Sequence, residues 1–385
     1  MFTTPTLNVN LAAIVANWQT LRAQFTGAET AAVVKADGYG LGAVEVSTAL
    51  EKAGCHTFFV ATLGEALELR QALPDVRILV LQGVLPGEEF AFAAHRLIPI
   101  LNSTEQMARW KPVAAEHIHA VSALHIDTAM GRLGLQHDEF AALLKKDPDA
   151  LSACRVSLIM SHFACAPDAS HPLNARQLEL FQSSLALAPG IPASLTNSGG
   201  IYLPKDYHFH LARPGCSLYG IAAQSPTVEE SRVAFHGEPR SVGGLGVRPP
   251  SKLKQVAEWN SPILMTRVLE REQTVGYGAT VTAAKGTRIA TVASGYADGY
   301  LRHLSNKAVG YIGAHRVRLL GRVTMDMLCF DVTDVPESLL HEGAPLTLLG
   351  DRDGIRVDDV ADAAETIGYE ILTRIGNRVK RIYTE

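Results

Sequence analysis

The chain has 385 residues, 47% of them hydrophobic and 19% charged, with a net charge of −4 and a pI near 6.4. It is long for one ordinary domain and apolar enough to bury large cores, which excludes extended disorder. The mild acidity argues against nucleic acid or a polybasic membrane surface as partner, and the longest uncharged stretch, residues 180–204, is broken by Pro189, Pro192 and Pro204, so no membrane span is expected.

The opening MFTTPTLNVNL carries no basic region followed by an apolar block, so no signal peptide is expected. TLNVNL alternates like a strand. Ile14, Trp18, Leu21 and Phe25 then recur at helical spacing, with Asn10 as the N-cap. From residue 31 to about 220, apolar runs alternate with amphipathic stretches. The runs are AAVVK (31–35), HTFFVA (56–61), RILVLQ (77–82), LIPIL (97–101), ALHID (123–127), VSLIMSHF (156–163), ASLTN (193–197) and LARPGCSLYG (211–220). Continuous apolar runs fit parallel strands buried on both faces. GEALELRQAL, STEQMARW and LNARQLELF read as helices between them, whereas NSGGIYLPKDYHFH does not look helical. Eight such units predict a TIM-type (β/α)8 barrel. Residues 224–250 are rich in turn formers and read as a linker or surface insertion. Beyond about 260, ILMTRVL, TRIATVAS, AVGYIG, HRVRLLG, MLCFDVT and LTLLG predict a mainly β domain closed by a helix near VDDVADAAETIG. The expected fold is therefore α/β plus β, divided at 235/236, with residues 1–10 available to pair with the second domain. The five cysteines, Cys55, Cys154, Cys165, Cys216 and Cys329, form no CxxC pair, which points to a reduced, cytoplasmic chain without a structural metal.

Polar residues that packing does not explain collect at the ends of the barrel runs. Lys35 ends the first, His125 and Asp127 the fifth, His162 the sixth, and Asn197 and Ser198 the seventh; Arg213 lies early in the eighth. Barrel enzymes place their chemistry on that face. A desolvated lysine there suits Schiff-base chemistry, because burial lowers its pKa and frees the amine. Pyridoxal 5′-phosphate is the common cofactor that needs one. NSGG at 197–200 and RPG at 213–215 supply backbone N–H groups and a hydroxyl for a phosphate. Arg213 is the candidate to face the ring nitrogen. Lys35 snorkelling to water, Tyr277 filling a turn and Met325 packing in the core are the plainer readings of the same residues.

VVKADGYGLG resembles the cofactor-lysine motif of alanine racemases. HIDTAMGRLG, SHFACAPD, TNSGG, RPGCSLYG, VGYGAT, VASGYADGY, GRVTMDMLCFDVTD and the closing GYEILTRIGNRVKRIY follow in that family's order, so the resemblance covers nearly the whole chain. It implies a homodimer with shared active sites, in which Lys35 carries pyridoxal phosphate and Tyr277 of the partner subunit is the opposing acid/base. It implies phosphate contacts from Tyr39, Ser198, Gly215, Cys216 and Tyr369, with His162 against the ring. Arg132 and Met325 would meet the substrate carboxylate, and Tyr296, Arg302 and Arg322 would line the entry corridor. The implied reaction interconverts L- and D-alanine by two bases on opposite faces, supplying D-alanine for peptidoglycan. Lys35 takes the proton of the D-enantiomer and Tyr277 that of the L-enantiomer. A broad-specificity racemase and a pyridoxal-phosphate-dependent decarboxylase are the alternatives; a non-catalytic pyridoxal-phosphate-binding protein would lack the β domain. Two departures stand out. His125 occupies a position where many relatives have a carbamylated lysine that orients the arginine, so Arg132 must be oriented otherwise, by a neutral imidazole that accepts from it or by a bound chloride or carboxylate in place of the anion. Ala129 replaces the family's glycine.

Overall fold

The structure is a computed structural model that describes residues 4–223 and 253–385. The 224–250 segment and the expected boundary at 235/236 lie outside the described residues.

The first helix, Leu11–Gln24, begins where Asn10 turns its side chain back to accept from Ala13 N at 2.8 Å. Ile14, Trp18 and Leu21 are its buried stripe. Seven parallel strands follow in sequence order: Ala32–Val33, Thr57–Val60, Arg77–Val80, Ile98–Leu101, Ser122–His125, Val156–Met160 and Ala193–Ser194. The eighth, Leu211–Ala212, pairs in parallel with Glu29–Thr30. It reaches the seventh through the Asn197–Arg213 bridge and a bond from His210 N to Ala193 O, which closes the barrel. Most strand residues are fully buried, which accounts for apolar runs without alternation.

The strands are shorter than the apolar runs, and the difference lies at the C-terminal mouth. The first strand stops at Val33, so Lys35 opens the following turn instead of ending the strand. The run at 211–220 is a strand only over Leu211–Ala212, and Cys216–Tyr219 form a 3-10 turn. Pro214 has no N–H to continue a ladder, and the N–H groups of Gly215 and Ser217 turn instead to Ser198 Oγ, at 2.9 and 3.4 Å. NSGGIYLPKDYHFH supplies two 3-10 turns, Gly199–Tyr202 and Lys205–Tyr207, in place of a helix.

The second unit is built on the 12-residue strand Ala257–Val268. Its first half pairs with Pro345–Leu349 and with Thr6–Asn10, and its second half with Arg288–Val292. A register shift between Ile263 and Met265 lets one strand serve both sides. Arg288–Val292, Leu328–Asp331, His315–Leu319, Val309–Ile312 and Pro345–Leu349 follow round as an antiparallel barrel. The N-terminal strand Thr6–Asn10 thus belongs to this sheet, between Ala257–Val268 and the last strand, Lys380–Thr384. Chain start and chain end meet there. The helix Gly368–Thr373 then rests on the turn that carries Lys35: a side-chain carbon at Gly40 would come within 2.5 Å of Leu372 O.

Candidate active site

Lys35 opens a turn of unusual hand. Ala36, Asp37, Gly38 and Tyr39 all have φ between 52° and 59°, and Gly40 follows at 82°. For a non-glycine residue the left-handed region costs roughly 1–2 kcal/mol. The surroundings over-determine the turn. Glu65 Oε1 accepts from Ala36 N at 2.8 Å, and Asp37 Oδ1 from Ala43 N at 2.9 Å. Gly38 N donates to Val34 O at 2.8 Å, and the Arg381 guanidinium donates to Gly40 O at 3.0 and 3.2 Å. Stored backbone strain of this kind is a feature of working sites. Burial, and next the positive charge of Arg132, lower the pKa of Lys35, while Glu65 opposes the shift. The amine is thereby biased toward its neutral, nucleophilic form.

Arg213 is 3% exposed and has no carboxylate partner among the described residues. It donates to Ser194 Oγ and to Ser161 O, lies 3.5 Å from His162 Nδ1, and sits 5.9 Å from the centre of the Phe59 ring. Burial pushes its pKa down to about 9, so it remains a cation at neutral pH. The same burial, followed by the charges of Arg213 and Arg132, drives His162 far down and His125 to about 4. Both histidines are therefore neutral, and Arg213 and Arg132 give the mouth of the barrel positive charge without an ion-pair partner among the described residues.

The cradle lies at the adjoining end. Ser198 Oγ accepts from Gly215 N and Ser217 N and also meets the Cys216 side chain, so its one proton is the donor it can turn toward a ligand. A side-chain carbon at Gly215 would stand 2.5 Å from Tyr39 Oη, so only glycine lets that phenol lie against the backbone. Tyr39 is held by Tyr219 at 4.6 Å and Tyr369 at 6.0 Å between ring centres. Tyr369 Oη donates to Cys216 Sγ at 3.0 Å, which joins the C-terminal helix to this loop. Asn197 turns inward on its own loop, with Oδ1 accepting from Gly200 N at 2.9 Å and Nδ2 donating to Phe163 O at 3.4 Å. A desolvated lysine, a buried cation and a glycine cradle lined by hydroxyls fit the donor set that pyridoxal phosphate requires.

A second group forms in the β unit. Tyr277 projects from a loop between Gln273–Thr274 and Thr282–Ala283, flanked by Gly276 and Gly278 at φ 72° and 74°. It is 74% exposed. Arg322 lies against that loop, its guanidinium carbon 2.9 Å from where a side chain at Gly278 would begin. Tyr296 N donates to Thr324 O, and Ala297 N to Met325 O, both at 3.0 Å, which brings Tyr296 beside Met325. Met325 is 52% exposed and so is not core. Arg302, in the turn Arg302–Leu304, is exposed. Among the described residues no hydrogen bond, ion pair or ring contact joins Tyr277, Tyr296, Met325, Arg302 or Arg322 to the barrel mouth of the same chain.

Arg132 stands on an exposed loop whose ends are pinned to the strand carrying His125. Leu135 N donates to His125 O and Asp127 N to Leu135 O, both at 2.9 Å. The Asp127 carboxylate accepts from Met130 N and Gly131 N. Ala129 sits in this loop at φ 70°, a conformation glycine holds without strain. No hydrogen bond joins His125 to Arg132; His125 Nδ1 instead meets Asn102 Oδ1 at 2.9 Å. The sequence reading overlooked Glu65, Asn102, Ser161, Ser194 and Tyr219. Only Glu65 left a readable trace, as the fourth residue of the capping box that begins at Thr62.

Comparison with known proteins gives a consistent result. Family models described as the N-terminal and C-terminal domains of alanine racemase match residues 9–223 and 256–383. The alanine racemase of Rhodospirillum rubrum is 45% identical over 383 residues, covering 99% of this chain and 96% of the relative. That of Rhizobium meliloti is 40% identical, covering 98% and 96%. Among solved structures, alanine racemase from Bartonella henselae with covalently bound pyridoxal phosphate superposes with a TM-score of 0.87 at 35% identity, covering 100% of both chains. The biosynthetic alanine racemase from Pseudomonas aeruginosa gives 0.82 at 33%, again covering 100% of both. With both halves matched in order and relatives this similar over their full length, the chain belongs to the alanine racemase family.

Proposed function

We propose that this chain is a pyridoxal-phosphate-dependent alanine racemase that works as a cytoplasmic homodimer and supplies D-alanine for peptidoglycan. The observation that carries the reading is Lys35, desolvated on its left-handed turn beside the Ser198–Gly215 cradle and the buried Arg213 cation.

Lys35 Nζ, Tyr39, Ser198, Gly215, Cys216, Tyr369, His162 and Asn197 would hold the cofactor, with Arg213 facing its ring nitrogen. When bound, the cofactor supplies an electron sink for negative charge at the substrate's Cα. Lys35 Nζ takes the Cα proton on one face, and Tyr277 Oη of the partner subunit gives or takes a proton on the other. Arg132 and the Met325 backbone N–H receive the substrate carboxylate. Arg213 keeps a positive charge where a second one, on a protonated ring nitrogen, would be repelled. This restrains charge delocalisation, and with it side reactions. Tyr296, Arg302 and Arg322 would line the entry corridor, and the position of Arg322 against the Tyr277 loop supports its share in it. An exposed Tyr277 with no hydrogen bond or ring contact to the barrel mouth among the described residues of its own chain supports a site completed by a second copy.

The test is the purified chain with added pyridoxal phosphate, assayed in both directions on alanine and on a panel of other amino acids. Alanine should be interconverted fastest, and Lys35→Ala should lose turnover and the cofactor's visible absorbance together. A protein that binds the cofactor but leaves alanine unchanged would overturn the reading.

A further inference from the structure

Asn102 follows the strand Ile98–Leu101, and His125 ends the neighbouring strand Ser122–His125. Both are buried, at 6% and 7% exposure. The orientation of the Asn102 amide is fixed, because Nδ2 donates to Ile100 O at 2.8 Å and to Leu81 O at 3.1 Å. Its oxygen must then be the atom facing His125 Nδ1 at 2.9 Å. An amide oxygen can only accept, so Nδ1 carries the ring proton and Nε2 is a bare acceptor.

The loop carrying Arg132 folds back onto this strand end, since Leu135 N donates to His125 O. Its backbone is tied down while its guanidinium has no partner among the described residues. The two carboxylates near the cluster are occupied elsewhere. Asp127 holds Met130 N and Gly131 N of its own loop, and Glu65 holds the N–H groups of Ala36, Ala61 and Thr62. The other groups that face His125 are the cations Arg132 and Arg213, whose charges oppose its protonation, and Asp127, whose charge favours it. The Arg132 side chain is exposed and makes no hydrogen bond to His125 here, but its charge acts on His125, which places the two near each other; the bare ring nitrogen is the neutral acceptor this strand end offers if Arg132 turns inward.

We propose that Asn102 is a positioning residue for Arg132: it fixes His125 as the Nδ1–H tautomer, so that Nε2 is ready to accept a hydrogen bond from the Arg132 guanidinium when Arg132 turns inward to meet the substrate carboxylate. The inference rests on the racemase reading for what Arg132 binds. It rests on the hydrogen-bond geometry alone for the hold of Asn102 on His125. A buried neutral acceptor orients the arginine without competing with the substrate's carboxylate for its charge.

The experiment uses the holoenzyme labelled with 15N at histidine. Long-range 15N–1H spectra read the tautomer of each ring, and His125→Phe identifies its resonance by loss. The wild type should show His125 as Nδ1–H, and Asn102→Ala should convert it to a tautomer mixture. In steady-state kinetics both variants should raise KM for alanine by roughly tenfold, the scale of one charge-assisted hydrogen bond, with a smaller change in kcat. A purely structural role for Asn102 would lower the melting temperature and leave the KM-to-kcat split and the tautomer unmoved. An Nε2–H tautomer in wild type, or unchanged KM in both folded variants, would overturn the proposal. So would activation of wild type by added chloride or bicarbonate, because an exogenous anion would then be holding Arg132. An Nδ1–H ring in a protein that turns over no alanine would instead defeat the functional reading while upholding the hold on His125.

Discussion

Arg213 combines deep burial with an unpaired charge, and its replacement by a neutral side chain should reveal the cost. The guanidinium is 3% exposed; its partners, Ser194 Oγ, Ser161 O and His162 Nδ1, are all uncharged. Its pKa falls from the ordinary guanidinium range to about 9, and a drop of that size corresponds to about 5 kcal/mol by which the folded chain disfavours the charged form. Arg213→Met removes that penalty at similar length. The loss on the other side is smaller. Ser194 Oγ keeps its bond to Leu211 O, whereas Ser161 O loses its side-chain donor, at about 1–3 kcal/mol. In the cofactor-free protein the variant should therefore be more stable near pH 7.5 by roughly 2–4 kcal/mol, a rise in melting temperature of several degrees. The pH dependence has a definite sign. A base whose folded pKa is depressed leaves the unfolded chain binding more protons between the folded and unfolded values. The penalty on wild type is thus complete below about pH 9 and shrinks as pH rises toward the ordinary guanidinium value. By pH 10 the variant's advantage should have shrunk by about 1.4 kcal/mol. Thermal and urea unfolding of the two cofactor-free proteins, at pH 7.5 and pH 10, provide the measurement, and titrations common to both cancel in the difference. A variant less stable than wild type by more than about 1 kcal/mol, or an advantage that does not change with pH, would refute the account of Arg213 as a destabilising charge kept for function.

Three further outcomes are expected. Tyr277→Phe, which removes one hydroxyl from a loop tip that is 74% exposed, should fold and bind cofactor normally. It should still exchange the α-hydrogen of D-alanine but little of that of L-alanine; equal loss from both would contradict a division of labour between two bases. Mixing Lys35→Ala with Tyr277→Phe should restore a minority of active sites after subunit exchange, because one of the two mixed interfaces regains both native residues. No recovery would place Tyr277 in the same chain's site. Gly215→Ala sets a methyl 2.5 Å from Tyr39 Oη, inside a stack bounded by Tyr219 and Tyr369. Overpacking there should cost about 1–3 kcal/mol of stability and weaken cofactor binding by at least about tenfold, and an unchanged cofactor affinity by absorbance titration would argue against the cradle.

The two-part architecture and most of the chemistry were legible in the residue order because they rest on local patterns. Apolar runs separated by amphipathic stretches report parallel strands buried on both faces. Asn10 before an apolar stripe reports a capped helix, and Lys35 between a buried run and DGYG reports a desolvated amine. Each depends on neighbours within a few positions, so one sequence suffices. Tertiary structure alone decided the remainder. The turn after Lys35 is left-handed because Glu65 and Arg381, distant in the chain, hold its backbone groups, while Ala43 N donates to the Asp37 side chain from within the same stretch. The run at 211–220 ends as a strand after Ala212 because Ser198 Oγ takes the N–H groups that a ladder would have used. His125 is fixed by Asn102 from the adjacent strand, a pairing set by barrel register that no motif encodes. Hydrogen-bond satisfaction in a buried site is a property of the assembled walls: each strand contributes one or two polar atoms, and their partners are chosen only when the barrel closes.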